Sequence, residues 1–384
     1  MDFALTEEQE MLRTFTREFL ETECPKTLVR QMETDKTGHS PELWGKMAEL
    51  GWTGFLLPAE YGGPEFSFQH MAILLEEMGR ALLPGPYFST VVLCGQAILD
   101  AGTEDQKVEF LQKIGFGELV MALAITEVSA SYHARDINVR ADLSGDGYTI
   151  SGTKTFVSDG QIADYFIVVT RTAGGVDPEQ GISLFIVDAY SPGITIKPLE
   201  VMGIDKQAQV IFQNVQVPTD RLLGHSDDGW PLVEKLLAWG AAGKCAEAVG
   251  GAQAAMELAV NYVNNRSAFG QTIGSLQAIQ HHCANMFTAV ETSRNLAYQA
   301  AWLVAQGETN ATEISEAKAW ISEAYRTVTS LAHQCHGCIA FTKEMDIHLF
   351  HKKAKVSELL FGDAAFHWEK IASVLAAQAS ALTR

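Results

Sequence analysis

The middle of the chain constrains the fold most. From about residue 120 to 222 it runs in short β-rich segments: Tyr148-Thr149-Ile150, Ala163 to Thr170, Ile182 to Val187, Ile194-Thr195-Ile196 and Val210 to Val217. Gly, Asp, Asn and Pro separate them at short intervals, the punctuation of a compact antiparallel domain. Pro218 and Gly224 end the stretch. On both sides the hydrophobic period is helical. Thr6-Glu7-Glu8-Gln9 reads as a capping box, and Leu12, Phe15 and Phe19 then recur at helical spacing. Pro41-Glu42-Leu43-Trp44 opens a second helix that ends near Gly51, and Leu57 to Gly63 is a turn. A third helix runs from Phe68 to Leu83, where Pro84-Gly85-Pro86 breaks it. Val92 to Leu99 and Glu104 to Ile114 follow, closed by Gly115-Phe116-Gly117.

Beyond the β stretch come Trp230 to Asn265, Gln277 to Gln306, Glu313 to Gly337 and Glu344 to Leu382, all at helical period. Gly240, Gly243, Gly250 and Gly251 weaken the first of these locally. Glycines so spaced permit close helix packing. The expected class is α+β, mostly α. A helical domain over 1–119 precedes an antiparallel β domain over 120–222 and a C-terminal four-helix bundle over 223–384.

With 384 residues, the chain can remove about three quarters of its unfolded surface from water. The net charge of -19 argues against nucleic acid, which needs a basic surface. It also gives no long-range attraction for an anionic thioester, which would need local donors and apolar grip. No apolar run reaches the roughly 18 residues of a membrane helix. Met1-Asp2-Phe3-Ala4 lacks the basic and apolar regions of a signal peptide, so the expected compartment is the cytoplasm. The six cysteines are then expected as reduced thiols. Cys335 and Cys338 have metal-ligand spacing, but no second ligand pair follows. Ile339 rather than His excludes haem attachment. Small residues at a helix end are the simpler reading.

Three clusters carry the chemistry: Arg266-Ser267-Ala268-Phe269-Gly270, Gln277-Ala278-Ile279-Gln280-His281, and Gln334-Cys335-His336-Gly337, with Glu344 after the last. A guanidinium at Arg266 can pair two phosphate oxygens through its planar fork. Taken alone, Arg266 is equally a charge favoured at a helix C-terminus. In order and spacing the clusters resemble the flavin-contacting signature of the acyl-CoA dehydrogenase family. The resemblance spans essentially the whole chain, including the Tyr61-Gly62-Gly63 turn and the Thr126-Glu127 step into the β domain.

The resemblance implies FAD. It implies that Arg266 and Phe269 reach the flavin of a neighbouring subunit, with Gln277, Gln334 and Gly337 contributing there. Gly337 would allow close backbone approach. Thr126 and Ser158 match hydroxyls that hydrogen-bond the flavin ring; their plain reading is as strand hydroxyls. Two features depart from the family. Phe156 stands where a Trp usually faces the flavin. Val128-Ser129-Ala130-Ser131-Tyr132-His133 replaces a glycine-rich loop that contacts CoA, so strain is expected at Val128 or Tyr132 if positive φ is kept.

In this family a carboxylate removes a proton alpha to a thioester carbonyl while hydride passes from the beta carbon to the flavin. Such a base needs a desolvated pocket that raises its pKa. Its usual position maps to Phe361. A second family position maps to Gly240, followed by Ala241. Neither is a carboxylate. Asp363, Glu358 and Glu247 are the neighbours that could substitute, and each also reads as a solvated or salt-bridged carboxylate. Glu247 lies about 10 Å along its helix from Gly240, too far for direct transfer.

The resemblance therefore implies the non-catalytic subunit of an α2β2 heterotetramer, paired with a homologous catalytic chain. Its substrate would be an acyl-CoA, including bulky thioesters such as steroid side chains, and its acceptor an electron-transfer flavoprotein. Two alternatives stay open: a self-sufficient flavoenzyme using Asp363 as a relocated base, and a non-redox CoA-binding or scaffold protein. His348, His351 and His367 read as surface or interface residues, and His281-His282 as a subunit contact. Trp230, Trp239, Trp302 and Trp320 read as core or interface aromatics, and Ser226-Asp227-Asp228 as a solvated loop.

Overall fold

The computed structural model describes residues 5–382, so the four residues on which the reading of the amino terminus rests lie outside the described residues. The first helices are α1 (Glu7–Glu23), α2 (Lys26–Thr34), α3 (Pro41–Glu49), α4 (Phe68–Ala81), α5 (Gln96–Ala101) and α6 (Glu104–Gly115), with a π-helical segment Phe88–Gly95 before α5. The strands are β1 (Met121–Ala124), β2 (Arg140–Ser144), β3 (Gly147–Ser158), β4 (Tyr165–Arg171), β5 (Ile182–Asp188), β6 (Ile194–Pro198), β7 (Gln207–Pro218) and β8 (Leu222–Leu223). Then come α7 (Trp230–Asn265), a hairpin of β9 (Ser267–Ala268) and β10 (Gln271–Thr272), α8 (Gln277–Ala305), α9 (Thr312–His336), α10 (Ile347–Leu359) and α11 (Ala364–Leu382).

The chain forms two compact units. One holds Gln31–Phe66 and Pro84–Trp239. Its sheet runs β6-β7-β3-β2-β4-β5-β8, with β1 also paired to β4. Most pairings are antiparallel, as the turn punctuation requires, but β1 and β2 each meet β4 in parallel. Sequence reading missed both strands. Met121–Ala124 is a short apolar run with no alternation, and Arg140–Ser144 is largely exposed. Phe166, Val168, Phe185, Val187 and Phe212 form the core beneath the sheet. Phe166 meets Phe212 edge to face at 6.4 Å.

The second unit holds the chain up to Arg30, Ser67–Leu83 and everything from Gly240 onward. The capping box at its start is present: Gln9 N donates to Thr6 Oγ1 at 3.3 Å, and Thr6 N to Gln9 Oε1 at 3.0 Å. Within it α4 and α7 approach to backbone contact. A Cβ on Gly79 would overlap the Glu247 carbonyl, and one on Gly250 the Glu76 carbonyl. That is the packing the glycines of α7 predict. The contact brings acidic side chains indoors, and each is paired. Glu76 accepts from Arg294 and from Tyr298 Oη at 2.6 Å. Glu77 accepts from Arg17 at 2.6 Å.

The pattern read as one helix from Glu344 to Leu382 is two. The chain turns at Leu360–Asp363, where Phe361 and Gly362 take φ of 60° and 96°. This break carries His367 inward. It is buried, contrary to its reading as a surface or interface residue, because its helix starts on a new axis.

Candidate functional site

In the helical unit, the end of α7 leads into an exposed arm. Arg266 N donates to Tyr262 O at 2.9 Å, and Ile273 N closes the hairpin on Arg266 O at 2.9 Å. Phe269 and Gly270 form its tip with φ of 56° and 80°, the double positive φ of a tight two-residue hairpin turn. Phe269 is 90% exposed there. Arg266, Gln277 at the first residue of α8 and Gln334 in the last turn of α9 are also exposed. Among the described residues, none of these three side chains has a hydrogen-bond or ion-pair partner. Gly337 ends α9 with φ 69° and ψ -145°, and the space where its Cβ would stand is open. A side chain there would be strained and would cover that opening. Exposed unspent donors and an open glycine backbone are groups that fit a dinucleotide carrying phosphates and polar ring edges.

The sheet unit holds Thr126 and Ser158. Thr126 Oγ1 donates to Thr155 O at 2.6 Å, so its hydroxyl proton is committed to backbone and its oxygen remains an acceptor. Ser158 is half-buried at the end of β3. Between them a register shift in β3 gives Phe156 a φ of 59° and leaves the ring 43% exposed. The loop after Glu127 needs positive φ only at Ala130, at 53°. The strain expected at Val128 or Tyr132 is thus absent. Val128 is 81% exposed on that loop. Glu127 is structural: it accepts from Asn138 N at 2.8 Å, Val139 N at 2.9 Å and the buried Lys154 Nζ at 2.9 Å. Burial pushes the Lys154 ammonium down to about 8 despite that partner.

Phe361 and Gly240 meet in the helical unit. The buried Phe361 ring lies on Gly240 so closely that a Cβ at 240 would stand 2.4 Å from it. The turn carrying Phe361 is clamped on both sides. Lys318 Nζ, buried on α9, has four acceptors for its three protons: Gly362 O at 2.9 Å, Ser322 Oγ at 2.9 Å, Ser357 O at 3.0 Å and, most distant, Glu358 O at 3.2 Å. Burial pushes this lysine down to about 8. His367 Nε2–H donates to Phe361 O at 3.0 Å, which leaves Nδ1 as the bare ring nitrogen. Burial, reinforced by the Lys318 charge, holds His367 down at about 3, so the ring is neutral. Neither clamp residue was singled out as such in the sequence: Lys318 acts on carbonyls some forty residues on, and His367 acts across the break between α10 and α11 that its helical spacing conceals.

The three substitute carboxylates all have structural partners. Asp363 Oδ1 accepts from Phe366 N at 2.9 Å and caps α11. Glu358 pairs with Arg326 and Lys355, both at 3.2 Å. Glu247 lies buried between Lys244 at 2.5 Å and Lys353 at 2.7 Å. Burial alone would raise its pKa, but the two ammonium groups overcome that and hold it at about 2. That is the opposite of what a base near neutrality needs. Among the described residues no group of three His, Cys, Asp or Glu could hold a metal, and no helix is long and apolar enough to cross a membrane.

Comparison with known proteins agrees with this architecture. Family models described as acyl-CoA dehydrogenase N-terminal, middle and C-terminal domains match residues 6–118, 122–215 and 227–376. The chain is 33% identical over 377 residues to acryloyl-CoA reductase (NADH) of Anaerotignum propionicum, covering 96% of this chain and 94% of that one. Butyryl-CoA dehydrogenase from Megasphaera elsdenii superposes with a TM-score of 0.90 at 29% identity, over 98% of this chain and 100% of that one. A chain of the ChsE4-ChsE5 complex from Mycobacterium tuberculosis superposes with a TM-score of 0.89 at 25% identity, over 98% and 99%.

Proposed function

The chain belongs to the acyl-CoA dehydrogenase family, and from that membership we propose that it is the non-catalytic subunit of a heteromeric flavoenzyme that dehydrogenates CoA thioesters. The observation that carries the reading is the seating of Phe361 on Gly240. These are the two positions from which a member of this family would present its base, and here an aromatic ring fills the space of one and rests on the bare backbone of the other. A carboxylate cannot be at either place, and Asp363, Glu358 and Glu247 are spent on a cap and on ion pairs.

The cofactor is FAD, which supplies a hydride acceptor for the beta carbon when bound. This chain's part is to hold it. Arg266 fits the diphosphate, since a guanidinium fork pairs two oxygens at once. Phe269 offers an exposed ring for stacking, Gln277 and Gln334 offer amide donors, and Gly337 lets the backbone come close. Thr126 and Ser158, taken by themselves in the sheet unit, offer hydroxyl oxygens of the kind that meet a flavin ring. The partner is a homologous chain that owns the base and completes an α2β2 assembly. A heteromer has precedent in the ChsE4-ChsE5 complex, to which this chain is similar. Electron-transfer flavoprotein as acceptor, the cytoplasm as compartment and bulky thioesters such as steroid side chains as substrates belong to the same proposal.

Co-purification with a homologous chain that carries the base tests this. One FAD per unlike pair and dehydrogenation by the pair alone are expected. Stoichiometric FAD and turnover by this chain on its own overturn the reading.

A further inference from the structure

The donors proposed to hold the flavin sit on two helix ends, Arg266 beyond α7 and Gln334 with Gly337 at the end of α9. A clamp of this kind holds its ligand only if the separation of its arms is set before binding, because ordering them afterwards subtracts from affinity. A ring stack joins the two ends. Tyr262 in the last turn of α7 stacks on His336, the last residue of α9, with ring centroids 4.5 Å apart and planes 25° from parallel. Tyr262 also receives Arg266 N–H on its backbone oxygen at 2.9 Å. His336 lies between Gln334 and Gly337 in the chain.

His336 is fixed more firmly than a stack alone requires. Its Nδ1–H donates to Ala332 O at 2.7 Å, which sets the tautomer and the ring orientation. Its Nε2 is then a bare acceptor, and that atom is buried with no hydrogen-bond partner among the described residues. A buried orphan acceptor opposes folding. What the ring contributes here is the stack on Tyr262 and the Nδ1–H bond that orients it. On the same helix end, His333 donates from Nδ1 to Thr329 O at 2.8 Å and packs against Phe341 at 5.5 Å and His351 at 5.0 Å, tying the turn after Gly337 to α10.

We propose that the Tyr262–His336 stack is the brace that fixes the spacing of the two arms of the flavin clamp, with both residues acting as positioning residues that do not touch the cofactor. This rests on the functional reading above.

The test uses the heteromer and reads FAD affinity by quenching of flavin fluorescence, alongside the melting temperature of the flavin-free protein. Y262L, which keeps bulk but removes the aromatic face, and H336A should each weaken FAD binding about three- to tenfold, the worth of one aromatic pair. H336F keeps a ring without the orphan nitrogen. It should bind FAD within about twofold of the parent, whereas weakened FAD binding in Y262L and H336A without a matching fall in melting temperature is what a merely structural role does not produce. Unchanged affinity in Y262L and H336A overturns the brace, as does an H336F that binds as poorly as H336A. A parent heteromer that takes up no FAD sinks the functional reading itself and the brace with it, so the two failures are distinguishable.

Discussion

Gly240→Ala is the smallest perturbation that probes the packing on which the functional reading depends. The added methyl would stand 2.4 Å from Cδ1 of Phe361 and 2.6 Å from two more ring atoms. Ordinary carbon contacts lie at about 3.5–4.0 Å, so the ring must move by roughly an ångström. It cannot do so freely. The Phe361 carbonyl is held by His367 and the next carbonyl by Lys318, both buried. Overpacking of this kind destabilises by about 1–3 kcal/mol. F361A should lose about 3–5 kcal/mol through the cavity it leaves. In the double variant the methyl has room, so G240A should become neutral or stabilising, and the coupling should be about 1–3 kcal/mol. Urea unfolding of the four proteins measures the cycle. Additive effects would mean that ring and glycine do not share one space, and the argument that they exclude a base from both positions would fall with them.

Three further outcomes follow from the site. R266A should weaken FAD binding by the heteromer about ten- to a hundredfold, the loss of one or two hydrogen bonds to a charged group, while the isolated chain melts unchanged; unaltered affinity would return Arg266 to a helix-end charge. D363A should cost about 1 kcal/mol of stability as a lost N-cap and leave turnover of the heteromer intact, whereas abolished turnover would favour the self-sufficient enzyme. His367 is neutral when folded, with its pKa depressed from 6.5 to about 3. The unfolded chain therefore binds the extra proton, and the contribution is whole above about pH 6.5 and shrinks as pH falls toward 3, by at most ~4–5 kcal/mol; a denaturation midpoint independent of pH between 7 and 4 would contradict this burial.

Much of the architecture was legible from local signals. The Thr6 capping box, the proline break after Leu83 and the turn residues bounding the longer strands are chain-local, and the structure uses each as read. The close approach of α4 and α7 was legible at one remove, through the glycines of α7. What escaped was long-range. β1 and β2 pair with a strand more than twenty residues away in sequence for part of their order, and nothing in their own residues announces it. The clamp on Phe361 escaped for the same reason: Lys318 reads as one cation in a helix, and its value lies in carbonyls some forty residues on. His367 was grouped with His348 and His351 because helical spacing was carried across Leu360–Asp363, where the helix stops. At the site itself, residue identity was enough to notice Phe361 and Gly240, but only the folded chain brings them face to face.

Exchange of the alpha hydrogen of an acyl-CoA with solvent deuterium reports proton abstraction without requiring any electron acceptor. The purified chain, supplied with FAD and a saturated acyl-CoA in heavy water, should leave the alpha position unlabelled, and labelling should appear when the homologous partner is added. Deuterium incorporated by this chain alone would show that it owns a working base and would contradict the account.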